Sequence, residues 1–246
     1  MKNFAVIQHN YSEFLGQIER QLEIRDIGFS YFRPFVGQDL PGSALQFDAL
    51  FLLGGSAPAS DLEHSPWVEN ETWLIQRFLD AKRPVVGFGF GATVVAAKFG
   101  ADLHAQPAQT AYWATAHITE AGAGDAVAEA LNGRKVLVMY NGSAVLKDES
   151  LQAILVDDEG NWLAIKPNEL CYAFLFRPEL KPGMLEDMIM EAHRDTPDNI
   201  GEVLSQAREE WAETQKTTNE FVIALVKSLD LMQDRKKPPV FSLKVE

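Results

Sequence analysis

The stretch VVGFGFGA, residues 85–92, decides the fold predicted for this chain of 246 residues. An apolar run typical of a buried strand passes through a glycine-flanked turn directly into a segment with helical character at 91–99. A strand that turns this tightly into a helix is typical of a nucleophile elbow, which holds its central residue in a strained backbone conformation at the helix N-terminus. The central residue here is Gly89, which tolerates the strain but offers no nucleophile.

The rest of the first half alternates short apolar runs with amphipathic stretches, a pattern typical of a parallel sheet flanked by helices. Strands are predicted at 4–8, 29–35, 49–53 and 84–88. Ser12 is predicted to cap the first helix, and Ser65 with Pro66 to open the second.

The second half is richer in strands and ends in helices. Strands are predicted at 135–140, 151–156, 162–165 and 170–176. The chain is predicted to be helical from Pro182 onward, with Asp198 as the cap of a long amphipathic helix. The sequence therefore predicts one domain, residues 1–232, followed by an exposed tail, residues 233–246.

The bulk composition excludes several classes of function. Against 22 lysines and arginines stand 35 aspartates and glutamates, a net charge of −13 that argues against binding nucleic acid or an anionic membrane surface. The single cysteine, Cys171, rules out an intrachain disulfide, and the N-terminus lacks the apolar core of a signal peptide. No apolar run is long enough to span a membrane, so we expect a cytoplasmic protein. The five histidines show no metal-ligand spacing, and we expect neither a metal nor a cofactor.

Several motifs follow one another in the order found in a known family. The run DALFLLGGSAPASD at 48–61, the pair Pro66-Trp67 and the run PVVG at 84–87 resemble the class I glutamine amidotransferases. The resemblance is closest to stand-alone members similar to the glutaminase part of GMP synthase, and it extends from about Phe4 to Leu229. It implies a flavodoxin-like, doubly wound α/β fold: a mostly parallel sheet with helices on both faces.

At the positions that matter most for chemistry, the chain departs from that family. The family elbow reads Gly-Ile-Cys-Leu-Gly, whereas this elbow has Gly89 in place of the cysteine. The family's late His-Pro-Glu matches the run RPE at 177–179, where Arg177 replaces the histidine and Glu179 is retained. A family stretch Trp-His-Gly/Ser-Asp is matched here by YNGS, residues 140–143.

These departures predict that the family reaction does not occur. Hydrolysis of an amide through a covalent intermediate needs a nucleophile, a base and donors for the oxyanion. The resemblance implies that Gly54, Gly55 and the amide of Phe90 still supply the donors. Gly89 cannot attack, and Arg177 stays protonated and cannot act as the base. Loss of a triad nucleophile costs on the order of a million-fold in rate in well-studied hydrolases.

The first functional hypothesis is a non-catalytic binding or regulatory subunit. Arg177 beside a helix N-terminus and an empty elbow predicts a pocket for a small anionic ligand. The competing interpretation is that Arg177 pairs with Glu179 or another acid and fills the vacated site. The predicted ligand site comprises Gly54, Gly55, Gly89, Phe90, Asn141, Arg177 and Glu179.

Other interpretations stay open at this point. The same cleft is compatible with an enzyme of altered, non-glutaminase chemistry, and the C-terminal helices with a protein partner or homo-oligomer. Residues 87–92 also fit the dinucleotide pattern G-x-G-x-x-A, but they do not follow the first strand. Cys171 is expected to be a buried, inert thiol, and His9 to have a structural role.

Overall fold

The computed structural model of the protein describes residues 2–61, 63–104, 109–146, 151–191 and 196–232. The predicted tail, 233–246, lies outside the described residues.

The chain forms a sequence of strands and helices that alternate in the first half and become strand-rich in the second. The strands are β1 (Lys2–Ile7), β2 (Ile27–Phe32), β3 (Ala49–Leu52), β4 (Val85–Phe88), β5 (Asp102–His104), β6 (Thr110–Thr115), β7 (His117–Ile118), β8 (Lys135–Tyr140), β9 (Ser143–Val145), β10 (Ala153–Val156), β11 (Trp162–Asn168) and β12 (Cys171–Phe174). The α-helices are α1 (Gln17–Glu23), α2 (Val68–Asp80), α3 (Phe90–Lys98), α4 (Ala126–Leu131), α5 (Pro182–Glu191), α6 (Ile200–Glu209) and α7 (Trp211–Ser228).

An eight-stranded sheet is the centre of the molecule, with the order β2-β1-β3-β4-β12-β11-β10-β7. The pairings from β2 to β12 are parallel, and those from β12 to β7 are antiparallel. The parallel part has the flavodoxin-like order 2-1-3-4-5, in which the chain changes direction across the sheet between β1 and β3. The predicted doubly wound, mostly parallel sheet is therefore confirmed.

Two short antiparallel ribbons accompany the main sheet. Strand β5 pairs with β9, and β6 pairs with β8 along its full length. An isolated bridge between Val138 and Phe176 links the second ribbon to the segment that follows β12. This link places the end of β12 next to β8, close to the end of β4.

Helices cover both faces of the sheet because its strands are apolar on both sides. All four residues of β3 and of β4 are buried. Side chains alternate along a strand: Phe88 contacts Phe221 of α7, while Gly87 faces the start of α3. Parallel strands with two covered faces read as continuous apolar runs, which is the pattern seen in the sequence.

The last helix belongs to the core of this domain. Phe221 is fully buried, and its ring centroid lies 5.0 Å from that of Phe174 and 5.7 Å from that of Phe176. Edge-to-face pairs of this kind add to the stabilisation that comes from burial alone. Trp211 at the start of α7 is half-buried, so neither aromatic residue forms an exposed patch.

The predicted helix starts were wrong at two positions. Ser12 caps no helix: its hydroxyl donates a hydrogen bond to Asn10 Oδ1, and α1 begins only after Gly16. Gly16 has φ 50° and ψ −110°, and the amide of the next residue, Gln17, donates to the carbonyl of Glu179. Asp198 was also wrong as a cap, because α6 has Asn199 at the N-cap position and no side-chain cap.

Other predicted boundaries shift by a few residues, and one region was missed. Strand β2 ends at Phe32 because Pro34–Val36 forms a 3-10 turn. The helix predicted to open at Ser65 begins at Val68. The segment from 102 to 131 was assigned no elements, although it contains β5, β6, β7 and α4.

Candidate functional site

The elbow between β4 and α3 has the predicted strained geometry. Gly89 occupies the N-cap position of α3 with φ 52° and ψ −112°, a conformation that residues with a side chain rarely adopt. Its amide donates to the carbonyl of Phe174, 2.9 Å away on β12. The backbone of a nucleophile elbow is thus present without a side chain at its tip.

The two glycines flanking the elbow allow α3 to lie directly on the sheet. A Cβ atom on Gly91 would collide with the carbonyl oxygen of Leu52, and one on Gly87 would collide with the carbonyl oxygen of Gly91. Close approach of two backbones is a common reason for glycine in such a turn.

A buried cluster of charged side chains occupies the space in front of the elbow. Arg177 donates from Nη2 to Glu13 Oε2 over 2.5 Å and from Nε to Glu179 Oε1 over 2.6 Å. The three residues are no more than 3% exposed. A Cβ atom on Gly89 would lie only 2.9 Å from Cδ of Arg177. We call Glu13, Arg177 and Glu179 the arginine cluster.

The electrostatics of the arginine cluster keep Arg177 charged. Burial alone would lower the pKa of the guanidinium, but the neighbouring Glu13 and Glu179 carboxyls outweigh burial and raise that pKa. Burial raises the pKa of Glu179, although the charge of Arg177 opposes this shift. With one cation between two carboxyl groups, the cluster carries no excess positive charge.

A second buried ion pair lies at the end of β1. His9 Nε2 is 2.7 Å from Glu71 Oε1, and His9 Nδ1 is 2.9 Å from the carbonyl oxygen of Gly54. A carbonyl only accepts, so Nδ1 carries a proton and donates it to the carbonyl of Gly54. Burial lowers the pKa of His9. Glu71 and the Gly54 carbonyl raise the same pKa by a larger amount, so the net shift is upward. Both ring nitrogens of His9 are engaged in hydrogen bonds.

A cleft of about 370 Å³ opens beside these groups. It lies where the sheet order changes direction, between the loops that follow β1 and β3, which is the usual ligand position in open α/β sheets. Its described lining residues are His9, Asn10, Tyr11, Ser12, Glu13, Phe35, Ser56, Trp67, Gln109, Asn141, Met188, Met190 and Glu191.

Solved structures of glutamine amidotransferases share this architecture. A glutamine amidotransferase from Methylobacillus flagellatus superposes with a TM-score of 0.78 over 97% of this chain and 99% of its own, at 18% identity. One from Thermotoga maritima superposes with a TM-score of 0.75 over 93% and 98% of the two chains, at 16% identity. Identities this low show the fold alone.

A curated relative adds evidence from sequence. The glutamine amidotransferase-like protein YfeJ of Salmonella typhimurium is 29% identical over 119 residues, which are 47% of this chain and 50% of YfeJ. The chain is thus similar to a glutamine amidotransferase-like protein in part of its sequence and to glutamine amidotransferases in fold. The match spans about half the length of this relative, and no family profile matches the sequence.

The amidotransferase-like fold brings all the predicted site residues together. A Cβ atom on Gly54 would collide with the Glu13 carboxylate and the Arg177 guanidinium, so Gly54 lies against the arginine cluster. A Cβ atom on Gly55 would lie 3.1 Å from Cγ of Phe90, and Asn141 Nδ2 donates to the carbonyl of Gly55 over 2.9 Å.

These residues differ in whether a molecule in the cleft can reach them. Asn141 lines the cleft, whereas Arg177 and Glu179 lie beneath it and are almost fully buried. Of the two interpretations of Arg177, its pairing with acidic side chains is the one observed.

Glu13 and Glu71 are site residues that the sequence prediction missed. Glu71 gave a detectable signal: it shares the buried stripe of α2 with Val68, Leu74 and Ile75, where an unpaired carboxylate would be costly. Glu13 gave none, because it lies in the loop between β1 and α1.

The single thiol lies away from the elbow tip. Cys171 is fully buried at the start of β12, beside Val85 at the start of β4, whereas Gly89 follows the end of β4. Burial raises the pKa of its thiol, so the thiolate is not populated at neutral pH. Within the described ranges, no group of three metal-ligating side chains is placed to hold a metal ion, and no helix is long and apolar enough to cross a membrane.

Proposed function

We propose that this glutamine amidotransferase-like chain has no glutaminase activity and acts by binding a ligand or a partner. The arginine cluster carries the proposal, since it packs against an elbow that has no side chain at its tip. The Cβ atom of a cysteine at position 89 would lie closer to Arg177 than a van der Waals contact allows. The arginine cluster in its present conformation and a nucleophilic side chain therefore cannot both occupy this space.

The described residues around the elbow do not replace the missing base. Arg177 stays charged between two carboxyl groups. His9 uses one nitrogen for Glu71 and the other for a backbone carbonyl. A base must reach the proton that it removes, and neither group has a free nitrogen lone pair to accept one.

The same geometry weighs against the predicted anionic ligand. An anion that binds Arg177 must displace Glu13 or Glu179, both of which already form short hydrogen bonds to it. We therefore place the ligand in the adjacent cleft, which Asn141 and Glu13 line. Enzymatic activity of another kind stays a hypothesis, because no described group near the elbow favours it.

The proposal is tested by ammonia release from glutamine, with the wild-type chain and Cys171→Ser assayed side by side. We expect release at background level from both proteins, since removal of a triad nucleophile costs on the order of a million-fold in rate. Release that disappears in Cys171→Ser would show that the thiol has taken over as nucleophile and would overturn the proposal. Release that persists in both would show another nucleophile and would also overturn it.

A further inference from the structure

We propose that the cleft binds an organic cation, an ammonium group carried on an apolar skeleton. This inference names the ligand class for the binding function proposed above and rests on it. Three observations support it: the charges that face the cleft, the aromatic side chains in its wall, and the exposure of apolar side chains at its mouth.

The exposed charge in the described lining of the cleft is negative. That charge is the carboxylate of Glu191, and neither lysine nor arginine is among the described lining residues. Glu13 also lines the cleft, but it is buried and its carboxyl is bound by Arg177 and Asn10. The ring of His9 is paired with Glu71, and the guanidinium of Arg177 is bound by both Glu13 and Glu179. An anion would therefore meet the carboxylate of Glu191 without a free cation among the described lining residues, whereas a cation would be attracted.

Three aromatic rings line the same cleft. The rings of Tyr11 and Phe35 meet edge to face, with centroids 4.8 Å apart and an angle of 90° between their planes. Trp67 lines the cleft as well and stacks on the ring of His9 at 6.0 Å. The faces of such rings attract ammonium groups, and aromatic cages that bind alkylated ammonium ligands are built in this way.

Apolar side chains at the mouth of the cleft are exposed to an unusual degree. Tyr11 is 69% exposed and Met190 is 87% exposed. Both line the cleft, so a bound apolar skeleton would cover them. The flexible methionine side chain can adjust to ligands of different shapes, which suits Met190 to contact an apolar skeleton in the cleft.

The carboxylate of Glu191 is held where it can meet the cation. Its Oε2 accepts the Ser12 amide over 3.1 Å, which ties the loop after β1 to α5 across the cleft. The side chain is exposed, so replacing it leaves the core undisturbed. A volume of about 370 Å³ accommodates one small organic molecule.

The experiment measures binding of benzylammonium to the full chain by calorimetry at low salt. Two probes of nearly the same shape serve as references: benzyl alcohol, which is neutral, and benzoate, which is an anion. We expect benzylammonium to bind saturably, benzyl alcohol to bind at least about 5-fold more weakly, and benzoate not to bind. Binding of the cation should weaken as salt is added.

Variants of exposed residues locate the binding site without endangering the fold. Tyr11→Ala and Glu191→Gln should each weaken benzylammonium binding about 3- to 10-fold. Matched controls are Trp73→Ala, an exposed aromatic residue on α2 outside the cleft lining, and Glu202→Gln, an exposed acid on α6. Both controls should bind as the wild type does.

Three results would overturn the inference. They are an absence of saturable binding up to about 20 mM benzylammonium, equal affinity for benzylammonium and benzyl alcohol, and equal weakening by the controls and the cleft variants. None of these results concerns glutamine, so a failure here leaves the proposed loss of glutaminase activity standing. Ammonia release from glutamine would overturn the proposed function whatever the cation result.

Discussion

Among single residues, Arg177 is expected to matter most for stability. Its removal would leave the carboxyl groups of Glu13 and Glu179 buried without their cation. Breaking a buried pair by removing one partner costs about 3–5 kcal/mol, because the remaining charge is uncompensated. We therefore expect Arg177→Ala to lower the free energy of unfolding by that amount in urea titrations.

A surface arginine is the matched control for this measurement. Arg208 donates to Glu186 over 2.6 Å, but both side chains are largely exposed. Exposed ion pairs contribute about 0–1 kcal/mol. If Arg177→Ala and Arg208→Ala cost the same, the arginine cluster does not stabilise the fold in the way described.

A second prediction at this scale concerns pH. Because Glu71 holds the pKa of His9 above the ordinary value of 6.5, the folded state binds this proton more tightly than the unfolded state. The resulting stabilisation is fully present below about pH 6.5, the ordinary pKa of histidine. It is lost as the pH rises through the pKa of His9 in the folded state. His9→Gln should therefore reduce the fall in unfolding free energy above neutral pH.

The pH series needs a histidine control and a direct readout. His64 is exposed and lies beside Asp61 on the surface, so His64→Gln is the matched control for replacing a histidine. An NMR titration of the imidazole protons should place the pKa of His9 above 6.5. A pKa below 6.5, or parallel profiles for His9→Gln and wild type, would contradict the assignment.

The sequence made some site residues predictable and others not. Gly89, Arg177 and Glu179 lie inside local motifs, so their positions follow from a resemblance read over a few residues. The partners of these motifs come from distant segments: Glu13 is 164 residues from Arg177, and Glu71 is 62 residues from His9. Contacts of that separation depend on the tertiary fold, which motif spacing does not encode.

The elbow itself makes a prediction at the level of elements. Gly89 combines a positive φ with ψ −112°, and a Cβ atom there would also press on Arg177. Gly37 offers a control, since it has φ 79° and ψ 15° and nothing lies within 4 Å of an added Cβ. We expect Gly37→Ala to cost about 1 kcal/mol and Gly89→Ala about 2–3 kcal/mol or more.

Thermal or urea unfolding of the two alanine variants decides this point. Equal costs would mean that the elbow is neither strained nor filled by Arg177. A further variant, Gly89→Ala with Arg177→Ala, separates strain from collision. Its cost should fall below the sum of the single costs, because the added methyl group no longer meets a side chain.

Strands and helices were predictable where the local pattern of residues is sufficient to define them. The buried strands of the parallel sheet were found because continuous apolar runs identify them. The start of α1 was not, because Gly16 begins the helix while the Gln17 amide binds the carbonyl of the distant Glu179. No strands were predicted in the segment from 102 to 131, because its strands are short or half-buried and lack a continuous apolar run.

For the whole molecule, the closing helices are predicted to be indispensable to folding. Truncation at Pro197 would remove α6 and α7, and with them the buried Phe221, Val222 and Leu225. Loss of several core side chains at about 2–5 kcal/mol each exceeds the total stability of an ordinary domain. We expect the truncated chain to lack cooperative thermal unfolding in circular dichroism, and a sharp transition would contradict this.

The expected loss of folding on truncation also affects how assembly through the C-terminal helices should be tested. Since the apolar side of α7 packs on its own sheet, its core face is not available to a second copy. Light scattering on the full chain therefore tests oligomerisation better than truncation does, because the truncation confounds assembly with folding.

Covalent trapping tests the central claim most directly, because it detects a nucleophile in the site independently of turnover. The full chain is incubated with an electrophilic glutamine analogue, and its intact mass is recorded alongside Cys171→Ser. The account predicts an unchanged mass for both proteins, since Gly89 has no side chain and Cys171 is fully buried. A stoichiometric adduct on the wild-type chain that glutamine prevents from forming would contradict it.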